Sequence, residues 1–251
     1  MKTLTFIGNG NMAKSIAKGL DGKFAIEVVG RDEKKLQEFT KELKNATYAL
    51  LDNFDITDKT LILCVKPNNI QEVGKKLRGN ARVLYSVLAG VSIERLQNEF
   101  QTNAVVRTMP NLAASVGASL TTLTGDSTFK EEALEIFSAI GDVVWVASQK
   151  ELDIATALAG SGPAYLALIA EALADGAVKQ GLKRDDAMAI MRGLFKGFGK
   201  LIQTTHPALL KDGVMSPGGT TAAGYAALEE AGVRDGCIKA VDAAYAKATK
   251  L

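Results

Sequence analysis

The sequence predicts an α/β protein, with an amino-terminal domain built on a doubly wound, mostly parallel sheet and an all-α carboxyl-terminal domain. Three observations lead to this prediction. Strand-like apolar segments alternate with helical segments up to about residue 148, a glycine-rich turn joins the first strand to the first helix, and strand signals vanish from about residue 149. We therefore expect one domain over residues 1–148 and a second over residues 149–251.

A glycine-rich turn separates the first predicted strand, residues 4–7, from a helix that runs to residue 20. It reads Gly8-Asn9-Gly10-Asn11-Met12-Ala13, the G-x-G-x-x-A pattern of a dinucleotide-binding unit. The first glycine permits the tight turn, the second lets a pyrophosphate approach the helix amino terminus, and the alanine keeps helix and strand close. The pattern predicts a Rossmann domain whose cofactor site includes Gly8, Gly10, Asn11, Met12 and Ala13.

The end of the second predicted strand, residues 25–29, bears on the choice of cofactor. NAD-preferring sites usually place Asp or Glu there, whereas this chain has Gly30 followed by Arg31. Glycine leaves room for a 2′-phosphate and a guanidinium binds one bidentately, so NADP(H) is favoured, with NAD(H) as the alternative. Asp32 is able to cap the next helix, while Lys34 and Lys35 fit either a phosphate contact or a solvated helix face.

Five more apolar segments complete the predicted sheet, at residues 60–65, 82–88, 104–109, 119–124 and 143–146. Ligands of open α/β sheets bind beyond the carboxyl ends of strands. The candidate cofactor residues at such ends are Val65, Lys66, Pro67, Ala89 and Gly90, and Pro110-Asn111 follows the third segment. Lys66 fits a proton donor, a phosphate contact or a lysine that merely reaches solvent.

Alanine-rich helical periodicity dominates the second domain. Helices are predicted over residues 152–160, 164–180 and 222–230, and from Asp185 or Asp186 to about residue 202. Pro163 suits the first position of the second helix, and Gly181 suits its end. The helix after Asp186 carries a Met and Phe stripe that fits either a core or a subunit interface. This stripe comprises Met188, Met191, Leu194, Phe195, Phe198 and Leu201.

The turn before the helix at residues 222–230 is the second motif that points to chemistry. It reads Ser216-Pro217-Gly218-Gly219-Thr220-Thr221 and combines hydroxyl side chains with the free N–H groups of a helix amino terminus. Such a turn suits a small carboxylate, although it also fits an ordinary turn with a helix cap. The substrate-binding candidates are Ser216, Gly218, Gly219, Thr220 and Thr221.

Composition argues against several classes of function. The net charge is +2 and no basic stretch is interleaved with aromatics, so nucleic-acid binding is not expected. Two cysteines, Cys64 and Cys237, and one histidine, His206, lack neighbours at ligand spacing, which argues against a metal site. His206-Pro207 fits a structural turn better than a proton-transfer site. No segment appears long enough to span a membrane or to form a secretion signal, so a cytoplasmic protein is expected.

Together the motifs resemble those of the pyrroline-5-carboxylate reductase family over nearly the whole chain. Five blocks carry this resemblance: Phe6-Ile7-Gly8-Asn9-Gly10-Asn11-Met12-Ala13, Val65-Lys66-Pro67, Arg107-Thr108-Met109-Pro110-Asn111, Ala159-Gly160-Ser161-Gly162-Pro163-Ala164-Tyr165, and Leu210-Lys211-Asp212-Gly213-Val214-Met215 with the turn that follows it. Met215 departs from the small hydroxyl residue usual in the family, and the helix over residues 192–200 is bulkier and more basic than usual.

The resemblance implies NAD(P)H-dependent reduction of the cyclic imine 1-pyrroline-5-carboxylate to L-proline, the last step of proline biosynthesis. It implies a Rossmann domain with a helical dimerisation domain, an active site shared between two subunits and, in some members, rings of dimers. It also implies that the Thr221 hydroxyl contacts the substrate nitrogen, which makes Thr221 the candidate catalytic residue.

Two other functions fit parts of the sequence. β-Hydroxyacid dehydrogenases also join a Rossmann domain to helices, but they resemble one another in a helix with a catalytic Lys and an Asn four residues later. This chain has no Asn after Asn111. A regulatory protein that merely binds NADPH would have no use for the carboxylate-binding turn at residues 216–221.

Overall fold

The computed structural model describes residues 1–249. They form two compact units, residues 1–161 together with 243–249, and Gly162–Asp242. The strands are β1 (Thr3–Ile7), β2 (Ala25–Gly30), β3 (Ala46–Leu50), β4 (Phe54–Asp55), β5 (Thr60–Leu63), β6 (Leu77–Arg78), β7 (Val83–Ser86), β8 (Val105–Met109), β9 (Ser119–Gly125) and β10 (Gly141–Trp145). The α-helices are α1 (Asn11–Leu20), α2 (Glu33–Lys41), α3 (Ile70–Gly74), α4 (Ile93–Glu99), α5 (Lys130–Ser138), α6 (Gln149–Ala155), α7 (Gly162–Lys179), α8 (Arg184–Leu201), α9 (Pro207–Val214), α10 (Thr220–Glu230) and α11 (Val233–Ala248).

The first unit contains an eight-stranded sheet in the order β10-β9-β8-β7-β5-β1-β2-β3. Neighbouring strands are parallel except for β8 and β9, which are antiparallel. The chain steps outward from β1 to β3 and then crosses to β5 on the other side of β1. The gap between the carboxyl ends of β1 and β5 is therefore the switch point at which open α/β sheets bind ligands. This topology confirms the predicted doubly wound, mostly parallel sheet.

The apolar pattern of the chain explains these elements. Strands β5, β7 and β8 are buried at every position, as expected for strands covered on both faces, and so they are nearly continuous apolar runs in sequence. Helix α1 buries Ala13, Ile16, Ala17 and Leu20. These residues recur at the spacing of one helix face. That face packs on the sheet, in the same buried cluster as residues of β1. The core therefore fixes the position of the glycine-rich turn between β1 and α1.

Three strands were not predicted from the sequence, namely β3, β4 and β6. Strand β3 lies at the edge of the sheet, with Tyr48 and Leu50 exposed, so its residues carry no buried run. Strands β4 and β6 are two residues each and pair only with one another. Short and half-exposed strands lack the periodicity on which a sequence-based prediction depends.

The expected helix break near Gly160 proves to be a change of helix type. A π-helical turn, Thr156–Gly160, follows α6, and the Ser161 N–H donates to the Thr156 carbonyl at 3.2 Å. Helical geometry therefore extends over Gln149–Lys179, 31 residues that are long and apolar enough to cross a membrane by length and composition. The expectation that no segment reaches that length was wrong, because Gly160 and Pro163 do not interrupt the helical geometry.

Helices α7 to α10 lie in the second unit, which contains few buried side chains. Ala187 is the buried residue of α8, whereas Leu194, Phe198 and Leu201 are 56%, 45% and 54% exposed. The Met and Phe stripe of α8 is therefore not a core within a single copy of the chain. An apolar surface of this extent is typical of a protein–protein interface.

Candidate active site

The turn after β1 depends on glycine at its first position. Gly8 has a φ of +108°, and a Cβ added there would lie 2.7 Å from the Cys64 carbonyl oxygen. The Gly8 N–H donates to the Val29 carbonyl at 2.8 Å, and the Cys64 N–H donates to the Ile7 carbonyl at 2.9 Å. Both the left-handed backbone and the close approach of β5 exclude a side chain here. The turn is thereby held at the switch point between β1 and β5.

Helix α1 presents a bare amino terminus to this cleft. Its N-cap is Gly10, and among residues 1–249 no side chain bonds to the first turn and no acidic residue lies in it. A Cβ added at Gly10 would meet no atom within 4 Å, so the space beside it is open to a ligand. Free N–H groups and the positive end of the helix dipole bind phosphate groups well. The turn thus fits the pyrophosphate of a dinucleotide.

A cavity of about 300 Å³ lies at this point. Its lining comprises Ile7, Gly8, Asn9, Gly10, Val29, Gly30, Arg31, Leu51, Cys64, Val65, Lys66, Asn69 and Val73. Two of these side chains, Arg31 and Lys66, are cationic, and none of the lining residues in the described part of the chain is acidic. The charge of the wall therefore favours an anionic ligand such as a dinucleotide.

The predicted cofactor residues occupy three kinds of position. Gly8, Gly10, Gly30, Arg31, Val65 and Lys66 line the cavity. Asn11, Met12 and Ala13 form the first turn of α1, in which Ala13 is fully buried and serves helix packing. Pro67 opens a 3₁₀ turn, whereas Ala89 and Gly90 follow β7 and lie outside the cavity lining. Asn9 and Asn69, which also line the cavity, were not predicted from the sequence.

The charged residues near the end of β2 make different contacts. Asp32 caps α2, accepting from the Lys35 N–H at 3.2 Å, as the sequence suggested. The Lys35 ammonium lies 3.8 Å from the Asp32 carboxylate. The Arg31 guanidinium instead points to Glu72 of α3, with 3.3 Å between Nη1 and Oε1. Glycine at position 30 has a packing reason too, since a Cβ there would lie 3.1 Å from the Leu36 side chain.

The second motif forms a tight turn that leads directly into α10. The Gly219 N–H donates to the Ser216 carbonyl at 3.0 Å, and Gly218 has a φ of +66°. Proline at the second position and a positive φ at the third are typical of a type II turn. Gly219 is the N-cap of α10, and within residues 1–249 no side chain bonds to its first turn. Ser216 and Thr221 are exposed beside these free N–H groups.

Side-chain contacts tie this turn to the helices around it. The Lys211 ammonium of α9 lies 5.5 Å from the centre of the Tyr225 ring of α10. The Tyr225 hydroxyl donates to Glu229 at 2.5 Å and accepts from Arg234 of α11 at 2.6 Å. Hydrogen bonds from Arg234 and Tyr225 lower the pKa of the Glu229 carboxyl to about 2, so Glu229 stays ionised near neutrality. These contacts join three helices around the turn.

His206 has a structural role in the second unit. It is the N-cap of α9, and its Nδ1 accepts a hydrogen bond from the Ala208 N–H at 3.3 Å. Pro207 follows at the first position of the helix, where its missing N–H costs nothing. The geometry is that of a helix cap, as His-Pro at this place suggested.

Two side chains of the block Arg107-Thr108-Met109-Pro110-Asn111 contact α6 and the π-helical turn that follows it. Asn111 donates through Nδ2 to the Ala159 carbonyl at 3.2 Å. Arg107, which is 2% exposed, donates through Nη2 to Asp153 of α6 at 2.7 Å. The sequence motif marked Arg107 and Asn111 as part of a family block, but neither partner was predicted.

Comparisons with known proteins extend over the whole chain. Residues 149–251 match the family described as pyrroline-5-carboxylate reductase dimerisation, and residues 3–90 match the family described as NADP oxidoreductase, coenzyme F420-dependent. A pyrroline-5-carboxylate reductase of Synechocystis is 39% identical over 99% of this chain and 97% of its own length. The solved 1-pyrroline-5-carboxylate reductase of Streptococcus pyogenes has a TM-score of 0.88 at 31% identity, over 99% of this chain and 98% of its own. The pyrroline carboxylate reductase of Plasmodium falciparum, solved with NADP bound, has a TM-score of 0.81 at 26% identity, over 99% and 97%.

The switch-point cleft, the bare end of α1 and the match to a dimerisation family define an NAD(P)-dependent oxidoreductase with a helical dimerisation domain. The 39% identity to the Synechocystis enzyme, which covers nearly the full length of both chains, identifies the family. The chain belongs to the pyrroline-5-carboxylate reductase family. This result removes the β-hydroxyacid dehydrogenase alternative.

Proposed function

We propose that this protein catalyses the NAD(P)H-dependent reduction of 1-pyrroline-5-carboxylate to L-proline, the final step of proline biosynthesis. The observation that carries the proposal is the bare first turn of α10 beside the Ser216 and Thr221 hydroxyls, in a chain of this family. An anion-binding turn next to two hydroxyl groups suits a small substrate with one carboxylate and one ring nitrogen.

The chemistry requires positioning more than acid–base catalysis. A reduced nicotinamide held in the cleft would supply the hydride for the carbon of the C=N bond, which is C2 of the imine and becomes C5 of proline, while the ring nitrogen takes up or already carries a proton. We assign the substrate carboxylate to the N–H groups of residues 218–221 and to the Ser216 hydroxyl, with Gly218, Gly219 and Thr220 contributing backbone contacts. The Thr221 hydroxyl is assigned to the substrate nitrogen, which it orients and hydrogen-bonds through the reaction. The proton itself comes from solvent or enters with the iminium form of the substrate.

The cofactor site is assigned to the cleft between β1 and β5. The residues proposed to contact or shape it are Gly8, Gly10, Asn11, Met12, Ala13, Gly30, Arg31, Val65, Lys66, Pro67, Ala89 and Gly90. NADP(H) is the preferred cofactor, with Arg31 as the ligand of the 2′-phosphate. The cationic wall of the cavity and the related Plasmodium falciparum enzyme solved with NADP bound both support this preference. Arg31→Ala should raise KM for NADPH much more than KM for NADH, and equal effects would remove the 2′-phosphate assignment.

The assembly is proposed to be a homodimer formed by residues 149–251, with residues 1–148 as the cofactor-binding domain. The exposed apolar stripe of α8 and the match to a dimerisation family support this division. The same interface accounts for the apolar helix Gln149–Lys179 in a cytoplasmic protein without a membrane partner. Rings of dimers are a further assembly state, which light scattering of the purified protein distinguishes by mass.

The reaction is tested by following the oxidation of NADPH by purified protein in the presence of 1-pyrroline-5-carboxylate, beside NADH. Turnover with a preference for NADPH is the expected result. Turnover that favours NADH would keep the reaction and overturn the cofactor assignment. No turnover from folded protein that binds NADPH would overturn the reaction and favour another imine or a regulatory role.

A further inference from the structure

Glu72 is an acidic residue beside the cleft that has no role in the binding of the 2′-phosphate as assigned above. Glu72 lies in α3, and residues on either side of it in sequence, Asn69 and Val73, line the cavity. Its Oε1 is 3.3 Å from Arg31 Nη1 and 3.7 Å from the Lys76 ammonium. Lys76 also contacts Asp52 at 3.0 Å. One carboxylate oxygen is therefore shared by two cations at the rim of the cleft.

We propose that Glu72 sets the cofactor specificity of this protein by competing with the 2′-phosphate for the Arg31 guanidinium. This inference rests on the proposed role of Arg31. A 2′-phosphate that binds Arg31 must either displace Glu72 or share the guanidinium with it. If the two share it, the phosphate and the carboxylate lie close together and repel each other. NADH carries a 2′-hydroxyl instead, and a carboxylate accepts a hydrogen bond from such a hydroxyl. Glu72 thus weakens the binding of NADPH but not that of NADH. It therefore reduces the preference for NADPH that Arg31 creates.

The exposure of the pair sets the size of the effect. Arg31 and Glu72 side chains are 57% and 50% exposed, so solvent screens their attraction. An exposed ion pair of this kind corresponds to about a twofold to fivefold change in a dissociation constant. The same exposure means that Glu72→Gln, which keeps the shape of the side chain, leaves the core undisturbed.

The test measures nucleotide binding rather than turnover, by calorimetric titration of the full-length protein. The probes are 2′,5′-ADP, which carries the 2′-phosphate, and 5′-AMP, which does not. Glu72→Gln is expected to tighten 2′,5′-ADP about twofold to fivefold and to leave 5′-AMP unchanged or slightly weaker. Asp52→Asn is the matched control, because it removes an equal charge from Lys76 but no partner from Arg31. A gain for both nucleotides, or the same gain from Asp52→Asn, would overturn the proposal.

A double-mutant cycle separates this proposal from the one on which it rests. In the Arg31→Ala background, Glu72→Gln is expected to give a smaller gain on 2′,5′-ADP than in the natural protein, and an equal gain in both backgrounds would overturn the competition. If Arg31→Ala weakens 2′,5′-ADP while Glu72→Gln has no effect alone, the role of Glu72 fails and that of Arg31 stands. If Arg31→Ala leaves 2′,5′-ADP binding unchanged, both assignments fail. None of these outcomes depends on reductase activity.

Discussion

Arg107 of β8 and Asp153 of α6 form a buried ion pair, with 2.7 Å between Nη2 and Oδ1. The Arg107 side chain is 2% exposed, and the Asp153 side chain is 17% exposed. Gln149 lies 3.4 Å from Nη1 and also accepts from the Ile93 N–H at 2.8 Å, while Nε has no partner within the described residues. A guanidinium with one of its donors unsatisfied depends strongly on its single carboxylate. The pair therefore fastens α6 to the central sheet just before the π-helical turn.

Removal of Asp153 should destabilise the protein strongly. Asp153→Ala leaves a buried cation without its counter-charge, which typically lowers the free energy of unfolding by about 3–5 kcal/mol. Asp153→Asn keeps a hydrogen-bond acceptor and should cost less. Asp142→Ala, at an exposed position of β10, is the control. Urea denaturation at one fixed protein concentration measures the differences, and a loss below about 1 kcal/mol for Asp153→Ala would contradict the role given to the pair.

The sequence predicted the fold where buried patterns are regular and failed where contacts join distant residues. Strands β5, β7 and β8 were predicted because covered parallel strands are continuous apolar runs. The contact between Arg107 and Asp153 was not predicted, since the two residues are separated by 46 positions and lie in unrelated elements. The Arg31 and Glu72 contact, over 41 positions, was missed for the same reason. Local backbone rules predicted the two glycine-rich turns, and the roles of their residues remain predictions.

The two glycines of the first turn should respond differently to alanine. Gly8→Ala introduces a Cβ at a φ of +108° and 2.7 Å from the Cys64 carbonyl, so it should lower the free energy of unfolding by about 1–3 kcal/mol and impair NADPH binding. Gly10→Ala meets open space and should leave stability within about 1 kcal/mol. It should nevertheless weaken NADPH binding on the order of tenfold, because its methyl group would occupy the place proposed for the pyrophosphate. Fluorescence titration and thermal melting distinguish the two, and normal NADPH binding by Gly10→Ala would place the pyrophosphate elsewhere.

The Cys64 thiol should be unusually inert although it lines the cofactor cavity. Burial raises its pKa well above the ordinary range, so the reactive thiolate stays scarce in the folded protein. In the unfolded chain a thiol ionises at about pH 8.5. The unfolded state therefore binds fewer protons than the folded state above that pH, and the contribution of Cys64 to stability falls as pH rises.

A Cys237→Ser variant isolates this thiol for measurement, since Cys64 and Cys237 are the two cysteines of the chain. Iodoacetamide should modify Cys64 slowly between pH 7 and 9 in the folded protein and rapidly in urea. NADPH should slow the modification of folded protein further, because Cys64 lines the proposed cofactor cavity. Cys64 is half-buried at the wall of the cavity. Rapid modification of the folded protein at neutral pH would mean that the pKa of its thiol is not raised.

Thr221 is the residue on which the proposed chemistry depends most directly. Its hydroxyl stands exposed on the first turn of α10, beside N–H groups that no side chain in residues 1–249 caps. Thr221→Val keeps the shape and the backbone N–H but removes the hydrogen bond to the substrate nitrogen, so kcat/KM for 1-pyrroline-5-carboxylate should fall about 10-fold to 100-fold. Thr221→Ser restores the hydroxyl and should recover most of that loss, while the dissociation constant for NADPH should be the same in all three proteins. Full activity of Thr221→Val with an unchanged KM for the imine would show that the substrate nitrogen has another partner.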